Sequence, residues 1–363
     1  MLAWILFLAL ILVFLALDLG VFHRKSHAVG VREALAWSGV WIVIALAFSV
    51  VVRLAYDAGW QGLGGHPDPV DGTRLDGATA MVKFLTGYVV EKSLSVDNVF
   101  VIALIFAAFG VPPRYQHRVL FWGILGALAM RGVMIGAGAV LVARFHWVLY
   151  VFGGFLVLTG IRMLLAKGDH GDPSQSRVLR WARRFLPVTD HFHGQHFLVR
   201  AGTRASGEPD EPGHAVRPDE AVDRARPGAW MLTPLALALI LVESADLLFA
   251  VDSIPAIFAV TGDPFLVFSS NVFAILGLRS LYFALAGALD RFRHLKTALS
   301  LVLILVGVKM LAAKPLKELL GPSFNLYLLG GVLFILAVGV AASWRRPPGS
   351  SGSGQKKEPV LTH

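Results

Sequence analysis

Two apolar segments of this chain carry carboxylates where a membrane-crossing helix should carry none. The first reads Tyr88-Val-Val-Glu-Lys-Ser-Leu-Ser-Val-Asp-Asn-Val-Phe100, and the second Leu241-Val-Glu-Ser-Ala-Asp-Leu-Leu-Phe-Ala-Val-Asp-Ser-Ile-Pro255. Glu91, Asp97, Glu243, Asp246 and Asp252 all lie deep inside runs long enough to cross a bilayer. A charge at that depth costs several kcal/mol, so such residues face a polar interior and mark ion or proton paths.

The flanking sequence supports the bilayer reading. Of the 363 residues, 56% are hydrophobic. The apolar residues fall in blocks of roughly 20, the length that spans a hydrocarbon core. Nine blocks are expected as spans: 2–18, 36–56, 79–109, 117–143, 147–166, 230–261, 264–289, 295–313 and 324–343. The third and sixth are long enough to be broken or tilted. The first lacks a basic n-region and a good cleavage site, so it reads as a span rather than a signal peptide. The fold class is an all-α polytopic membrane protein.

Charge sets the expected orientation. Arg24, Lys25 and Arg32 follow the first span, Arg114 and Arg118 the third, and Arg291, Arg293 and Lys296 the seventh. Odd-numbered loops are basic, which predicts that they and the C-terminus are cytoplasmic and the N-terminus is outside. Asp57, Asp68, Asp71 and Asp76 crowd the second loop, while Lys314 and Lys317 on the outer side run against the rule. The net charge of +9 therefore reflects orientation and gives no reason to expect a nucleic-acid partner.

An internal repeat runs through the spans. Val96-Asp-Asn98 answers Val251-Asp-Ser253, Leu128-Ala-Met-Arg131 answers Leu276-Gly-Leu-Arg279, and Thr159-Gly-Ile-Arg-Met-Leu-Leu-Ala-Lys167 answers Val306-Gly-Val-Lys-Met-Leu-Ala-Ala-Lys314. Each unit holds three spans, so the second enters the membrane inverted. That is the plan of secondary transporters, with the site at the midplane. The expected organisation is 1–78, two spans; 79–166, the first repeat (spans 3–5); 167–228, a hydrophilic cytoplasmic segment; 229–314, the second repeat (spans 6–8); 315–345, the last span; and 346–363, a disordered tail. The stretch from Gly202 to Gly228 has a disordered composition.

Helical geometry sorts the polar residues. Glu91, Ser95 and Asn98 share one face, as do Glu243, Asp246 and Ser253. Asp97 and Asp252 lie about 120° off those faces on an ideal helix. Pro255 removes a donor and crowds the carbonyl at position 251, which predicts a kink beside Asp252 and a meeting of Asp97 with Asp252 between antiparallel repeats. The expected metal ligands are Asp97, Asp252, Asp246, Glu91, Glu243, Asn98, Ser253 and Asn271. Such oxygen donors suit Mn²⁺, Ca²⁺ or Mg²⁺. Clustered carboxylates release protons as a metal arrives, which predicts exchange of a divalent cation for protons. Arg131, Arg279 and Lys92 are expected counter-ions or structural partners. Arg162 and Lys309 are expected to snorkel from span ends. Asp18 is a gating candidate. His191, His193 and His196 match no standard metal spacing.

The chain has no cysteine. Disulfides, thiolate metal sites and thiol redox chemistry are excluded. No resident cofactor and no enzymatic activity are expected; the cation is cargo. Two other classes fit less well. An intramembrane aspartyl protease also pairs two aspartates, but here they stand in Val-Asp-Asn and Val-Asp-Ser, among extra acids. A non-transporting scaffold would dock cytoplasmic protein partners through 167–228.

The chain resembles the TerC family, membrane proteins named for tellurium resistance, and within it the Alx branch. The resemblance is carried by Glu91-Lys-Ser-Leu-Ser-Val-Asp-Asn-Val-Phe100, by Glu243 through Thr261, and by Ser270-Asn-Val-Phe-Ala-Ile-Leu-Gly-Leu-Arg279. Leu17-Asp-Leu-Gly-Val-Phe-His-Arg24 and Leu186-Pro-Val-Thr189 also fit. It implies a bacterial inner-membrane protein of metal homeostasis, linked to manganese export and to tolerance of tellurium or alkaline pH. Tellurite is an anion that a carboxylate cluster repels, so an effect on it would be indirect.

Overall fold

The computed structural model describes residues 2–22, 30–165, 187–201, 222, 226, 228–285 and 295–345. The expected tail, most of the 167–228 segment, and the side chain of Asp18 lie outside the described residues.

The chain folds as a bundle of helices. In order these are α1 (Leu2–Phe22), α2 (Val31–Asp57), α3 (Gly77–Phe109), α4 (Pro113–Arg144), α5 (Trp147–Leu165), α6 (Pro234–Val260), α7 (Pro264–Leu276), α8 (Leu278–Leu285), α9 (Leu295–Leu311), α10 (Ala313–Leu320) and α11 (Phe324–Arg345). Seven of the resulting segments are long and apolar enough to cross a membrane, α7 and α8 together counting as one. The other two expected spans are also helical: α1, whose described apolar stretch is shorter, and the 17-residue α9. Side chains on the outside are apolar and bare, as at Val133 (74% exposed) and Leu248 (72%). Such a continuous apolar exterior suits lipid and not water.

Local signals set the helix ends. Asp76 caps α3, its carboxylate accepting from Thr79 N at 2.7 Å, and that bond holds its carboxyl below the usual range. Gly110 ends α3 in the left-handed conformation that a β-carbon disfavours. Thr233 and Asp263 cap α6 and α7, each followed by a proline at the first helical position. The expected kink at Pro255 does not interrupt α6, which runs unbroken from 234 to 260. The break lies instead in the next span, where Gly277 separates α7 from α8. Its sequence stays apolar, so composition does not reveal the interruption.

Packing is reciprocal between the two expected units. Helix α3 lies on α6, and α5 on α9, each pairing a segment with its repeat counterpart. The cross contacts also mirror one another: α3 meets α7 as α4 meets α6. This reciprocity is what a twofold between inverted units produces. The α5–α9 seam is built on small residues. A β-carbon at Gly307 would stand 2.9 Å from the Gly153 carbonyl, and one at Gly160 would stand 2.8 Å from that of Ser300. Helices that lack a hydrophobic drive to associate in lipid gain from such close backbone approach.

Connections gather at opposite ends. The α2–α3 loop, the α6–α7 turn and α10 meet at one end, through Asp68 with Thr261 and Lys317 with the Asp71 carbonyl at 3.1 Å. The α3–α4 turn and the hydrophilic segment meet at the other. There Arg118 stacks over Phe197 at 5.3 Å, and Tyr282 bonds Gln116 at 3.0 Å. Among the described residues, β1 (Leu198–Arg200) of the hydrophilic segment pairs antiparallel with β2 (Trp230–Leu232), which follows that segment and precedes α6.

Candidate metal-ion site in the bundle core

The acids of the two marked segments are brought together around an arginine. Glu91 and Asn98 come from α3, Arg131 from α4, and Asp246 and Ser253 from α6, all buried, with Glu91 fully so. Arg131 pairs with Glu91 through Nη1. Its Nη2 lies 3.0 Å from Asp246 Oδ1 and its Nε 3.4 Å from Oδ2, while Nη1 also donates to Ser253 Oγ at 3.3 Å. Asn98 Nδ2 donates to Asp246 Oδ1 at 2.9 Å. The i, i+7 spacing on each helix puts these groups on the faces that α3 and α6 turn towards each other. Two carboxylates face one guanidinium, and Glu91 Oε2 and Asn98 Oδ1 have no hydrogen-bond partner among the described residues. Unmet buried acceptors are uncommon and call for an explanation.

The remaining expected ligands sit around this core. Glu243 lies one turn before Asp246 on α6, partly buried against Gly126 of α4, where a β-carbon would meet its carboxylate. Asn271 on α7 is fully buried, with neither amide atom partnered among the described residues. Asp97 and Asp252 are partly buried and stand outside the hydrogen-bonded cluster; Asp97 is within electrostatic reach of Lys296. The structure does not join the two aspartates by a common partner among the described residues.

The expected counter-ions divide. Arg131 is one. Lys92 takes the structural alternative: it donates to the Ala274 carbonyl at 3.2 Å, in the last turn of α7 before the break at Gly277, and pairs with none of the five acids among the described residues. A broken span leaves carbonyls needing donors, and this lysine supplies one. Arg279 Nη2 lies 2.8 Å from His117 Nδ1, joining α8 to α4. His191, His193 and His196 lie in the turn preceding β1, and no group of three His, Asp or Glu side chains with metal-holding geometry occurs among the described residues.

A second ionic cluster escaped sequence reasoning. Lys83 of α3, fully buried, lies 2.8 Å from Asp68 and 2.9 Å from Asp71. Lys309 of α9 lies 3.6 Å from Asp71 and donates to the carbonyls of Ala259 (2.8 Å) and Val260 (3.3 Å). It does not snorkel. Burial opposes ionisation of Asp71, but Lys309, Lys83 and Thr73 outweigh it and hold the carboxyl below its usual range. Asp68 accepts from Gly262 N at 3.0 Å, tying the loop to the α6–α7 turn, where Asp263 takes Tyr56 Oη at 2.8 Å and His66 at 3.2 Å. The acidic loop therefore neutralises Lys83 and Lys309 through Asp68 and Asp71, whereas Lys317 reaches only the Asp71 backbone carbonyl, and the side chain of Lys314 lies outside the described residues. The available signal was an acidic loop beside Lys83 and Lys309 at neighbouring span ends.

Fold and buried charges together define a polytopic α-helical membrane protein with an ionised core. The chain belongs to the TerC family of integral membrane proteins, whose pattern it matches over residues 76–348. It is 44% identical over 353 residues to "Uncharacterized membrane protein STKORF319" of Myxococcus xanthus, covering 97% of this chain and 96% of the relative. It is 40% identical over 333 residues to "Putative membrane-bound redox modulator Alx" of Escherichia coli K12, covering 90% and 92%. The Salmonella typhi protein of the same description is 42% identical over 311 residues, covering 85% of each chain. No solved structure matches.

Proposed function

We propose that this protein exports a divalent metal cation, Mn²⁺, across the bacterial inner membrane in exchange for protons. The observation that carries this is the convergence of Glu91, Asp246, Asn98 and Ser253 from α3 and α6 at one buried point. Carboxylate, amide and hydroxyl oxygens are the donors a hard cation takes from a protein. Two helices from reciprocally packed units meeting there is the arrangement of alternating-access carriers. Glu243, Asp97, Asp252 and Asn271 extend the polar path, and protons return on the carboxylates. The protein acts as a carrier and not as an enzyme. Loss or excess of cytoplasmic Mn²⁺ then links it to metal, tellurium and alkaline stress.

The Alx relatives are described as redox modulators. In a chain without cysteine such an effect cannot run through its own thiols, and a change in manganese supply offers an indirect route. A scaffold role is favoured by one feature, the exposed Trp230 and Leu198 on the adjoining strands at the α3–α4 end. The deciding experiment is Mn²⁺ flux into proteoliposomes of purified protein under an imposed proton gradient. Gradient-driven flux supports the exporter. Absence of flux under every gradient sinks it, and a phenotype lost only when residues 167–228 are deleted would then favour the scaffold.

A further inference from the structure

The oxygens that should converge on a transported cation converge instead on a guanidinium. Glu91 and Ser253 face Arg131 Nη1, and both carboxylate oxygens of Asp246 face Nη2 and Nε, at 3.0 and 3.4 Å. Arg131 is itself buried (3% exposed), and it reaches this point from α4, a helix that supplies none of the acids. A divalent ion and the guanidinium cannot share the place. Together they would set three positive charges against two carboxylates in a medium of low dielectric. The guanidinium also leaves the set incomplete, because Glu91 Oε2 and Asn98 Oδ1 stay without partners among the described residues. A planar fork with donors in fixed directions satisfies some oxygens of a round site and misses others.

We propose that Arg131 is a tethered stand-in for the transported cation. It neutralises Glu91 and Asp246 while the site holds no metal, withdraws along α4 when a metal enters, and by returning helps expel it. The inference rests on the exporter reading. It assigns Arg131 a positioning role towards the cargo, in place of the static counter-ion that its burial alone suggests. An ion path needs binding that is weak enough to release, and a competing internal charge supplies that weakness.

The test is Mn²⁺ binding to the purified full-length chain, read from the free-ion electron paramagnetic resonance signal, for wild type, Arg131→Gln and Arg131→Lys. If the arginine-withdrawn state is about one tenth of the wild-type population, removing the competitor tightens apparent affinity about ten-fold in Arg131→Gln. Arg131→Lys, whose ammonium reaches fewer of these oxygens, should fall between the two. It keeps the charge, so it decides the matter should the glutamine variant not fold. Affinities in the foldable variants equal to or weaker than wild type overturn the stand-in. Wild-type flux is measured separately. Tighter binding by the variants with no wild-type flux keeps the stand-in and removes export, whereas flux with unchanged affinities keeps export and removes the stand-in.

Discussion

Arg131 Nη2 lies 3.0 Å from Asp246 Oδ1 inside the bundle, tying α4 to α6 across a distance of 115 residues in the chain. The bond joins a helix of one repeat to a helix of the other. Any motion of the two units against each other must break or carry it. The same carboxylate oxygen accepts from Asn98, so Asp246 is the point at which α3, α4 and α6 meet.

Asp246→Asn should therefore be costly twice over. It strips Arg131 of one carboxylate partner and weakens the acceptor for Asn98. Removing one partner of a buried pair costs about 3–5 kcal/mol in the severe case. Glu91 still pairs with Arg131, so the lower end is expected. A lower melting temperature in detergent together with lost Mn²⁺ flux is the expected result. Unchanged stability and flux would show that the cluster is incidental.

Asp252→Asn separates function from folding. Asp252 is partly buried and outside the hydrogen-bonded cluster, so the substitution should cost within about 1 kcal/mol, as surface and half-exposed changes commonly do. Flux should nevertheless fall if Asp252 lines the path. Equal flux in variant and wild type removes it from the path.

The loop cluster predicts an acid-dependent stability. The Asp71 carboxyl is held below its usual range by its lysines, so its stabilising charge is fully present above the unfolded value near pH 4 and is lost as pH falls through the lower folded value. Wild-type melting temperature should drop as the medium is acidified below about pH 4, and Asp71→Asn should be less stable at neutral pH with a flatter acid profile. Parallel profiles would contradict the assignment. Lys83→Met, which leaves Asp68 and Asp71 short of a buried partner, should destabilise at neutral pH by about 3–5 kcal/mol.

The α5–α9 seam gives a purely structural prediction. In Gly307→Val the β-carbon would sit 2.9 Å from the Gly153 carbonyl and 3.0 Å from Leu156 Cβ, where backbone cannot yield cheaply. The variant should be less stable than wild type by about 1–3 kcal/mol, the usual cost of overpacking. Gly330→Ala, at a position with open space, should be silent by the same thermal assay. Equal stability of the two variants would show that the seam is looser than its geometry.

Much of the site was legible because a charge inside an apolar run has no innocent explanation. Glu91, Asp246, Asn98 and Ser253 stand out by depth and by helical spacing, and the structure places them together. Lys83 and Lys309 did not stand out. Each lies near a span end, where a long side chain reaching water is the ordinary expectation. Asp68 and Asp71 enter the sequence only as acids of the second loop, with nothing along the chain to pair them with a lysine. Periodicity was equally silent about the break at Gly277, since the residues on both sides of it remain apolar.

The sequence by itself determined that the chain is a bundle of membrane helices, which segments are apolar and long enough to cross, and which polar residues cannot face lipid. Those properties follow from local hydropathy and from the cost of burying charge, both of which are written along the chain. Partnership was decided only by the tertiary structure. It set Arg131 among Glu91, Asp246 and Ser253, sent Lys92 to a carbonyl beside a broken helix, and folded an acidic loop over two buried lysines. Such pairings depend on distances between helices far apart in sequence, and no pattern of residue types along one helix specifies which neighbour it will meet.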